Sequence, residues 1–403
     1  MSYIAVLGRQ PEFGLAELES LFGADRVIPI NDTLAQLNFA APIPFERFGS
    51  IIKFAQVQTE LARTDQAYLC SQIAQLIERL HPHEPGVKIK IGLSDYSNTF
   101  SSRAINAVGL QVKKVLKNSG YSVRIVPNKS AKLGSAHIIH NKLTGTHGSE
   151  CLLFKKQNKL YLATTVYEQD IEGYAARDQV RPMRDARVGM LPPKLAQTII
   201  NLAIGPILDN EDDALKLEQS QDSTVLDPFC GTGVVLQEAA LMGYHVYGTD
   251  LEERMIRYSR DNINWLQATH SIRFKWFLEV GDATNHTWRG PVDYIAAETY
   301  LGRPLSRMQD TNELADIIQG VNTLHKKFLA NLHSQIAPSA RICLALPAWR
   351  TPKGFKHLPV LDQIDKLGYN QLVFSHVNAH DLIYARDNQI VARQLVVLQK
   401  QAL

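Results

Sequence analysis

The stretch from Leu226 to Asp250, LDPFCGTGVVLQEAALMGYHVYGTD, constrains this chain more than any other. Val225 and Leu226 end an apolar run that reads as a buried strand. Gly231 and Gly233 supply a tight turn, and Val234 to Leu241 open a helix directly from it. A second short apolar strand, His245 to Gly248, leads to Asp250, 17 positions after Gly233. Strand, glycine turn, helix and a second strand ending in an acid form the first half of a nucleotide-binding α/β sheet. The glycines let the backbone approach a ligand lying over the helix N-terminus, and Asp250 can accept both hydroxyls of a ribose. A dinucleotide fold ordinarily shows G-x-G-x-x-G and a phosphate-binding loop shows a lysine. D-P-F-C-G-T-G has neither a third glycine nor a lysine. The alternative, an ordinary α/β turn with chance glycines, leaves the ordered arrival of turn, helix and acid without a reason.

Asp227, just before the turn, suits a cationic amino group. A ligand with an ammonium and a sulfonium but no phosphate is S-adenosylmethionine, so Asp227, Phe229, Gly231, Gly233 and Asp250 are the candidate cofactor residues. Beyond a helix (254–265) and a strand (274–280) comes Gly281-Asp282-Ala283-Thr284. An Asp at that strand end commonly accepts the adenine amino group in enzymes using this cofactor, so Asp282 joins the set. Its alternative is a cap for the following turn.

The chain has 403 residues, 45% of them hydrophobic, enough to bury a large core in two or three domains. No run of about 18 apolar residues occurs, and the start MSYIAVLGRQPEFG lacks the basic and apolar regions of a signal peptide. The expectation is a soluble, cytoplasmic protein. Cys70, Cys151, Cys230 and Cys343 stand singly, which supports neither a disulfide framework nor a zinc ribbon. Cys230 sits in the glycine turn without a neighbouring base to activate it. His137, His140 and His147 lie close together, but no Cys or carboxylate completes a set, so no metal site is expected.

Net charge is only +3, yet residues 86–187 hold 17 Lys and Arg against seven Asp and Glu, an excess of ten that leaves the remainder acidic. A basic surface neutralises phosphates with salt-sensitive, largely sequence-independent affinity, which makes nucleic acid the leading partner. The alternative is a solvated face with an accidental excess.

Residues 1–60 read as a small α+β domain: strands at 3–7, 27–30 and 34–39, a helix over 14–21 and another around 44–52. A helix over 65–80 leads to the break HPHEPG and a strand at 88–94. Thr99 to Asn118 shows helical spacing at Ile105, Val108, Val112, Val115 and Leu116, and Cys151–Lys155 with Lys159–Val166 reads as a hairpin. The order of a small N-terminal domain, a basic domain with V-K-I-K-I-G-L-S-D-Y and S-A-K-L-G-S-A-H-I, and then D-P-F-C-G-T-G resembles the THUMP-containing RNA methyltransferases. Within these it is most similar to the group that methylates N2 of guanosine-10 in tRNA. The resemblance implies a ferredoxin-like domain over 1–60, a THUMP RNA-binding domain over 61–168, a linker over 169–192 and, over 193–403, a Rossmann-like, seven-stranded methyltransferase fold dependent on S-adenosylmethionine. It also implies a tRNA substrate docked by the THUMP domain, with Lys129 and Lys132 in the RNA-contacting region. Members of that group act alone or with a small zinc-binding activator; the expectation is a monomer.

The linker brings Arg177, Arg181, Arg184 and Arg187 at short spacing, and Arg181-Pro182 with Pro193, Leu195 and Ala196 matches the family's R-P…P-x-x-L-A. Arg177 and Arg181 are candidates for RNA contact, or else they pair with Asp178 and Asp185 in a structural linker. The fourth strand of the C-terminal sheet (292–297) delivers Glu298-Thr299-Tyr300-Leu301-Gly302 where the family usually places D/N-P-P-Y. The N2 of guanine is conjugated and not basic, so its lone pair must be aimed at the methyl group by acceptors for its N–H bonds. Glu298 is the first acceptor, the Thr299 carbonyl the second, and Tyr300 stacks on the flipped base. Anchoring on Gly302 puts Glu298 at the Asp position; anchoring on Tyr300 puts Ala297 there, which offers no acceptor. The further alternatives are a DNA or ribosomal RNA amino methyltransferase, and an RNA-binding protein with a vestigial cofactor pocket. A helix over 312–332, a strand at 341–346, a helix over 355–367 and a hairpin of 372–377 with 394–399 complete the expected fold.

Overall fold

A computed structural model describes residues 1–39, 42–185, 190–207, 222–290, 292–305, 310–338, 340–387 and 389–402. Arg187 and all but the last residue of the acidic stretch 209–222 lie outside the described residues. The chain forms two compact units: Met1–Arg9, Arg26–Glu46 and Ile51–Ile171 make the first, and Gln10–Asp25, Arg47–Ser50 and Glu172–Leu403 the second. Helix α1 (Pro11–Phe22) therefore belongs to the second unit.

The first unit is built on one sheet of β1 (Ser2–Leu7), β2 (Val27–Asn31), β3 (Leu34–Asn38), β4 (Ile51–Leu61), β5 (Lys88–Asp95), β6 (Ser122–Ile125), β7 (Gly148–Lys156) and β8 (Lys159–Glu168), in the order β2-β3-β1-β4-β8-β7-β5-β6. Helices α2 (Gln66–Leu80) and α3 (Ser102–Asn118) bury Leu69, Ile73, Ile77, Ile105, Val108, Val112 and Leu116 against Ile89, Ile91, Cys151 and Leu162 of the strands. Asp65 caps α2 by accepting the N–H of Tyr68 at 2.9 Å, and Ser101 caps α3 through Ala104 at 3.2 Å. Val115, expected in the α3 stripe, is exposed. The short helix α4 (Ser135–Asn141) follows the Lys-bearing loop. The 44–52 helix is replaced by a single 3-10 turn, Phe45–Arg47, followed by β4. The run IIKFAQVQTEL pairs with β1 and β8 along its length, so the last two residues of the expected helix, Ile51 and Ile52, belong to the strand.

A cluster of charged side chains is buried in this sheet. Lys53 Nζ lies 2.8 and 2.6 Å from the two carboxylate oxygens of Glu150 and 3.4 Å from Glu168. Lys53 and Glu150 are buried, and Glu150 also accepts from Ser94 at 2.5 Å and from Thr165. Burial alone would lower the lysine's pKa, but the two carboxylates outweigh it and hold the ammonium charged.

In the second unit the sheet runs β11-β10-β9-β12-β13-β17-β15. Its strands are β9 (Thr224–Asp227), β10 (His245–Asp250), β11 (Trp276–Val280), β12 (Tyr294–Glu298), β13 (Arg341–Thr351), β14 (Gly354–Lys356), β15 (Tyr369–Gln371), β16 (Ile383–Tyr384) and β17 (Val391–Lys400). From β11 to β13 every pairing is parallel; β17 and β15 are antiparallel additions, with β14 on β13 and β16 on β17. Helices α5 (Ile171–Gln179), α6 (Pro193–Ile204), α7 (Val234–Leu241), α8 (Glu253–His270) and α9 (Thr311–His333) complete it. Among the described residues no helix is long and apolar enough to cross a membrane.

The C-terminal part departs from expectation twice. Instead of a helix over 355–367 there is β14 and then two 3-10 turns, Pro359–Gln363 and Asp365–Leu367. Pro359 has no N–H to give and pushes Leu358 out of the helical region. Residues 372–377 are not a strand either, because Glu19 of α1 accepts the N–H groups of Ser375 and His376 at 2.5 and 3.0 Å. On the same helix Glu17, fully buried, accepts from Gly49 and Ser50 N–H (2.9 Å each) and from Asn201 Nδ2 at 2.7 Å. Burial pushes its carboxyl up to about 7 against these donors and Arg47.

Glu150→Ala removes the nearer of the two carboxylates that hold the buried Lys53 ammonium, leaving Glu168 at 3.4 Å, and should cost about 3–5 kcal/mol. Urea denaturation of the variant should show a midpoint well below wild type, whereas the triple replacement Lys53→Met, Glu150→Met, Glu168→Gln, which leaves no charge of the cluster unpaired, should recover much of the loss.

Candidate active site

The parallel strands of the second unit end at one edge, and the residues just past those ends surround a cavity of about 700 Å³. Asp227 closes β9, Asp250 closes β10, Asp282 follows β11 and Glu298 closes β12. All four line the cavity, together with Phe229, Gly231, Thr299 and Tyr300.

The glycine turn has the geometry that its residues demand. Gly231 has φ +52° and Gly233 φ +80°, left-handed values that side chains resist. At Gly233 space is short as well: a Cβ there would stand 2.9 Å from Ser259 Oγ. That hydroxyl donates to the Gly231 carbonyl at 2.8 Å, and Asn262 Nδ2 donates to the Thr232 carbonyl at 2.8 Å, so α8 grips the turn from behind. In front, Gly231 N–H donates to Asp250 Oδ2 and Glu252 N–H to Oδ1, both at 2.9 Å. Asn262 also exchanges two hydrogen bonds with the Met183 backbone, 2.9 and 3.0 Å, fixing the chain that brings Asp185, Met190 and Leu191 to the cavity wall.

Asp227 is 2% exposed and, among the described residues, accepts the Phe229 N–H at 3.0 Å. Burial, reinforced by Asp250 and Glu298, holds its carboxyl well above the usual range. Burial also raises Asp250. Such a gathering of carboxylates is relieved by a cation. The thiol of Cys230 is held far up by burial and by Asp227 and Asp250, which removes it as a nucleophile. Asp282 Oδ1 accepts from Thr284 N–H and Oγ1 at 2.9 and 2.8 Å, so it does hold the following turn while lining the cavity. Among the described residues no three metal-ligating side chains are grouped to hold an ion.

Strand alternation sends Glu298 and Thr299 to opposite sides. Arg393 of β17 donates through Nε to Glu298 Oε1, with the side chains 6% and 20% exposed. Burial raises the Glu298 carboxyl and Arg393 pulls it back down. Thr299 is buried: its N–H donates to the Ala345 carbonyl at 3.1 Å and its hydroxyl lies 2.8 Å from His325 Nε2. His325 Nδ1 faces the Val321 carbonyl at 2.8 Å, and a carbonyl only accepts, so Nδ1 carries the proton. Burial pushes this histidine down to about 4, which leaves Nε2 neutral and able to accept from Thr299. Tyr300 is 46% exposed at the cavity mouth.

The four basic candidates are placed differently. Lys129 is exposed on the first unit, and Lys132 lies with its Nζ 4.4 Å from the centre of the Tyr96 ring. Arg177 and Arg181, by contrast, are turned into the second unit. Arg177 Nε donates to the buried Glu238 at 2.7 Å, and Arg181 is 2% exposed. A buried carboxylate on α7 required a cation, which is a structural use of the linker arginines. Arg393, His325 and Asn262 were missed by sequence reasoning. A lone arginine in the apolar run of β17 was the available hint for the first; the other two had none.

Residues 215–358 match the family model described as RMKL-like, methyltransferase domain, and 164–261 match one described as DNA methylase. The tRNA (guanine(10)-N2)-dimethyltransferase of Methanothermobacter thermautotrophicus is 30% identical over 159 residues, 40% of this chain and 39% of that protein. The enzyme of the same name from Pyrococcus abyssi is 27% identical over 161 residues, 39% of each. These matches span about two fifths of the relatives' length. The crystal structure of TrmN from Thermus thermophilus shares the fold with a TM-score of 0.50 at 16% identity, covering 99% of this chain and 100% of that one.

Gly233→Ala should cost about 1–2 kcal/mol from its left-handed backbone alone and, by pushing Ser259 off the Gly231 carbonyl, weaken S-adenosylmethionine binding several-fold. Calorimetric titration and thermal unfolding check the two parts. Wild-type affinity in the variant would remove the turn from the binding surface. The segment that supplies most of the cavity wall thus matches a methyltransferase domain.

Proposed function

We propose that this protein methylates the exocyclic N2 of a guanosine in tRNA, with guanosine-10 as the position. The observation that carries the reading is the shared cavity: a carboxylate-rich pocket for a cationic cofactor opens directly beside Glu298 and Tyr300 at the end of β12. The names of the two curated relatives support the same base and atom. The DNA methylase match stops at residue 261, short of the Glu298 motif, and carries no argument about the substrate.

The residues present fit the cofactor. A cavity of about 700 Å³ suits a ligand of that size, Asp227 and its neighbouring carboxylates suit its positive charge, and Asp250 and Asp282 stand where ribose and adenine would be held. When bound, S-adenosylmethionine supplies an electrophilic methyl group on a sulfonium. In our reading the protein aims the amine: Glu298 and the Thr299 carbonyl accept its two N–H bonds, so that its lone pair points at the methyl carbon. That nitrogen would accept the methyl group, and its proton would pass to Glu298 or water. Tyr300, at the mouth, stacks on the extruded base. The fixed Thr299 makes this an arrangement set before substrate arrives, which is where such an enzyme gains most of its rate.

We read the second unit as the seven-stranded methyltransferase fold with two short strands added, and residues 1–168 as the RNA-docking part, ferredoxin-like and THUMP in kind, joined to it through 169–192. Lys129 and Lys132 are the proposed phosphate contacts. The protein would act as a monomer, without or with an activator subunit.

Incubation with labelled S-adenosylmethionine and an unmodified tRNA transcript, followed by nucleoside mass spectrometry, should yield N2-methylated guanosine at position 10, and Glu298→Ala should lower the rate at least about a hundredfold. Methylation of another base, or an unimpaired Glu298→Ala, would sink the assignment. Replacing both Lys129 and Lys132 by Ala should weaken tRNA binding and flatten the slope of log affinity against log salt by about 2. An unchanged slope would take them out of the interface.

A further inference from the structure

Glu298 is one methylene longer than the aspartate usual at the end of this strand, and something has to take up the extra reach. The register of the sheet shows what does. Glu298 pairs with Ala345 across β12 and β13, and Arg393 pairs with Pro347 across β13 and β17. Residues 345 and 347 point to the same face, so Glu298, Ala345, Pro347 and Arg393 form one row. The short side chain of Ala345 leaves the space through which Arg393 crosses a whole strand to Glu298 Oε1. Arg393 is 5% exposed, and a buried cation in the middle of an apolar strand has a cost that only its partner offsets.

We propose that Arg393 is a positioning residue for methyl transfer: it holds Oε1, draws the longer carboxylate back to the strand, and leaves Oε2 in the cavity as the acceptor for the substrate amine. This rests on the function proposed above. The charges that face Glu298 are Arg393 from β17 and the carboxylate of Asp227 from β9. Without the arginine, burial favours a protonated Glu298, which presents an O–H where an N–H must be accepted. Arg393 thus fixes both the direction and the protonation state of the group. The effect should appear in the turnover number and its pH dependence rather than in the Michaelis constant, since the guanidinium does not touch the substrate.

The test is the titration of Glu298 followed by 13C NMR on protein labelled at the glutamate carboxyl, the resonance being assigned with Glu298→Gln, alongside the pH profile of kcat. In wild type Glu298 should be ionised at neutral pH. Arg393→Gln should move its titration up by about 1–3 units and carry the acid limb of kcat with it, so that activity returns partly at alkaline pH. Arg393→Lys, which keeps the charge and is the gentler replacement if the Gln variant does not fold, should leave the midpoint within about one unit of wild type. A Glu298 protonated at neutral pH in wild type, or a midpoint indifferent to Arg393→Gln, would overturn the proposal whatever the activity. A midpoint that moves as expected, in a protein that leaves guanosine N2 unmethylated, would uphold the coupling of Arg393 and Glu298 and sink the substrate reading instead.

Discussion

Four carboxylates at the ends of four neighbouring parallel strands face one cavity, and the cost of burying acids there is the constraint that the rest of the second unit answers. Each is managed by a different device. Asp250 has both oxygens occupied by backbone N–H groups, Asp282 is tied into a turn with Thr284, Glu298 is gripped by Arg393, and Asp227 is left, among the described residues, with a single N–H donor. The one with the fewest donors is the one nearest to needing a cation from outside. An acid set of this kind attracts a sulfonium and an ammonium and repels a phosphate. That ordering of partners, from fully satisfied to nearly bare, is what turns a strand edge into a site for a positively charged cofactor.

The glycine turn depends on the same logic of satisfied groups. Its carbonyls at Gly231 and Thr232 are taken by Ser259 and Asn262 of α8, so the turn is held from the helix side and leaves its other side to the cavity. Asn262 binds the Met183 backbone with the same side chain. The linker and the cofactor turn are therefore anchored to one residue, and Arg254 of the same helix adds an ion pair to Asp185 at 3.0 Å. The arginines upstream fit this picture, since Arg177 neutralises a carboxylate buried on α7.

How much of this was legible depended on distance along the chain. The turn and its flanking strands are local: Gly231, Gly233 and Asp250 announce themselves within 20 residues, and the structure places them as their residue types require. The Glu298–Arg393 pair joins residues 95 apart, and Asn262 meets Met183 from 79 residues away. No periodicity reports such contacts. Where local pattern and long-range pairing competed, pairing prevailed, as at Ile51 and Ile52, which end the expected helix over 44–52 but pair in β4. At 355–367 a local signal was underweighted instead, because Pro359 forbids the helix that the apolar spacing suggests. The linker arginines show a related limit: spacing shows that cations recur, and only the fold shows that Arg177 meets the buried Glu238.

The central claim is that the carboxylate cavity binds a cation and that Asp227 is its key acid. It is tested most directly by isothermal titration of S-adenosylmethionine into the protein in buffers of different ionisation enthalpy. The folded Asp227 has a raised pKa, so on the acid side of its midpoint the free carboxyl carries a proton that a bound cation must expel. Net proton release should accompany binding there, fade as pH rises through the midpoint, and vanish in Asp227→Asn, with affinity for the cofactor rising over the same range. Binding without proton release at any pH, or release unaltered by Asp227→Asn, would contradict the account.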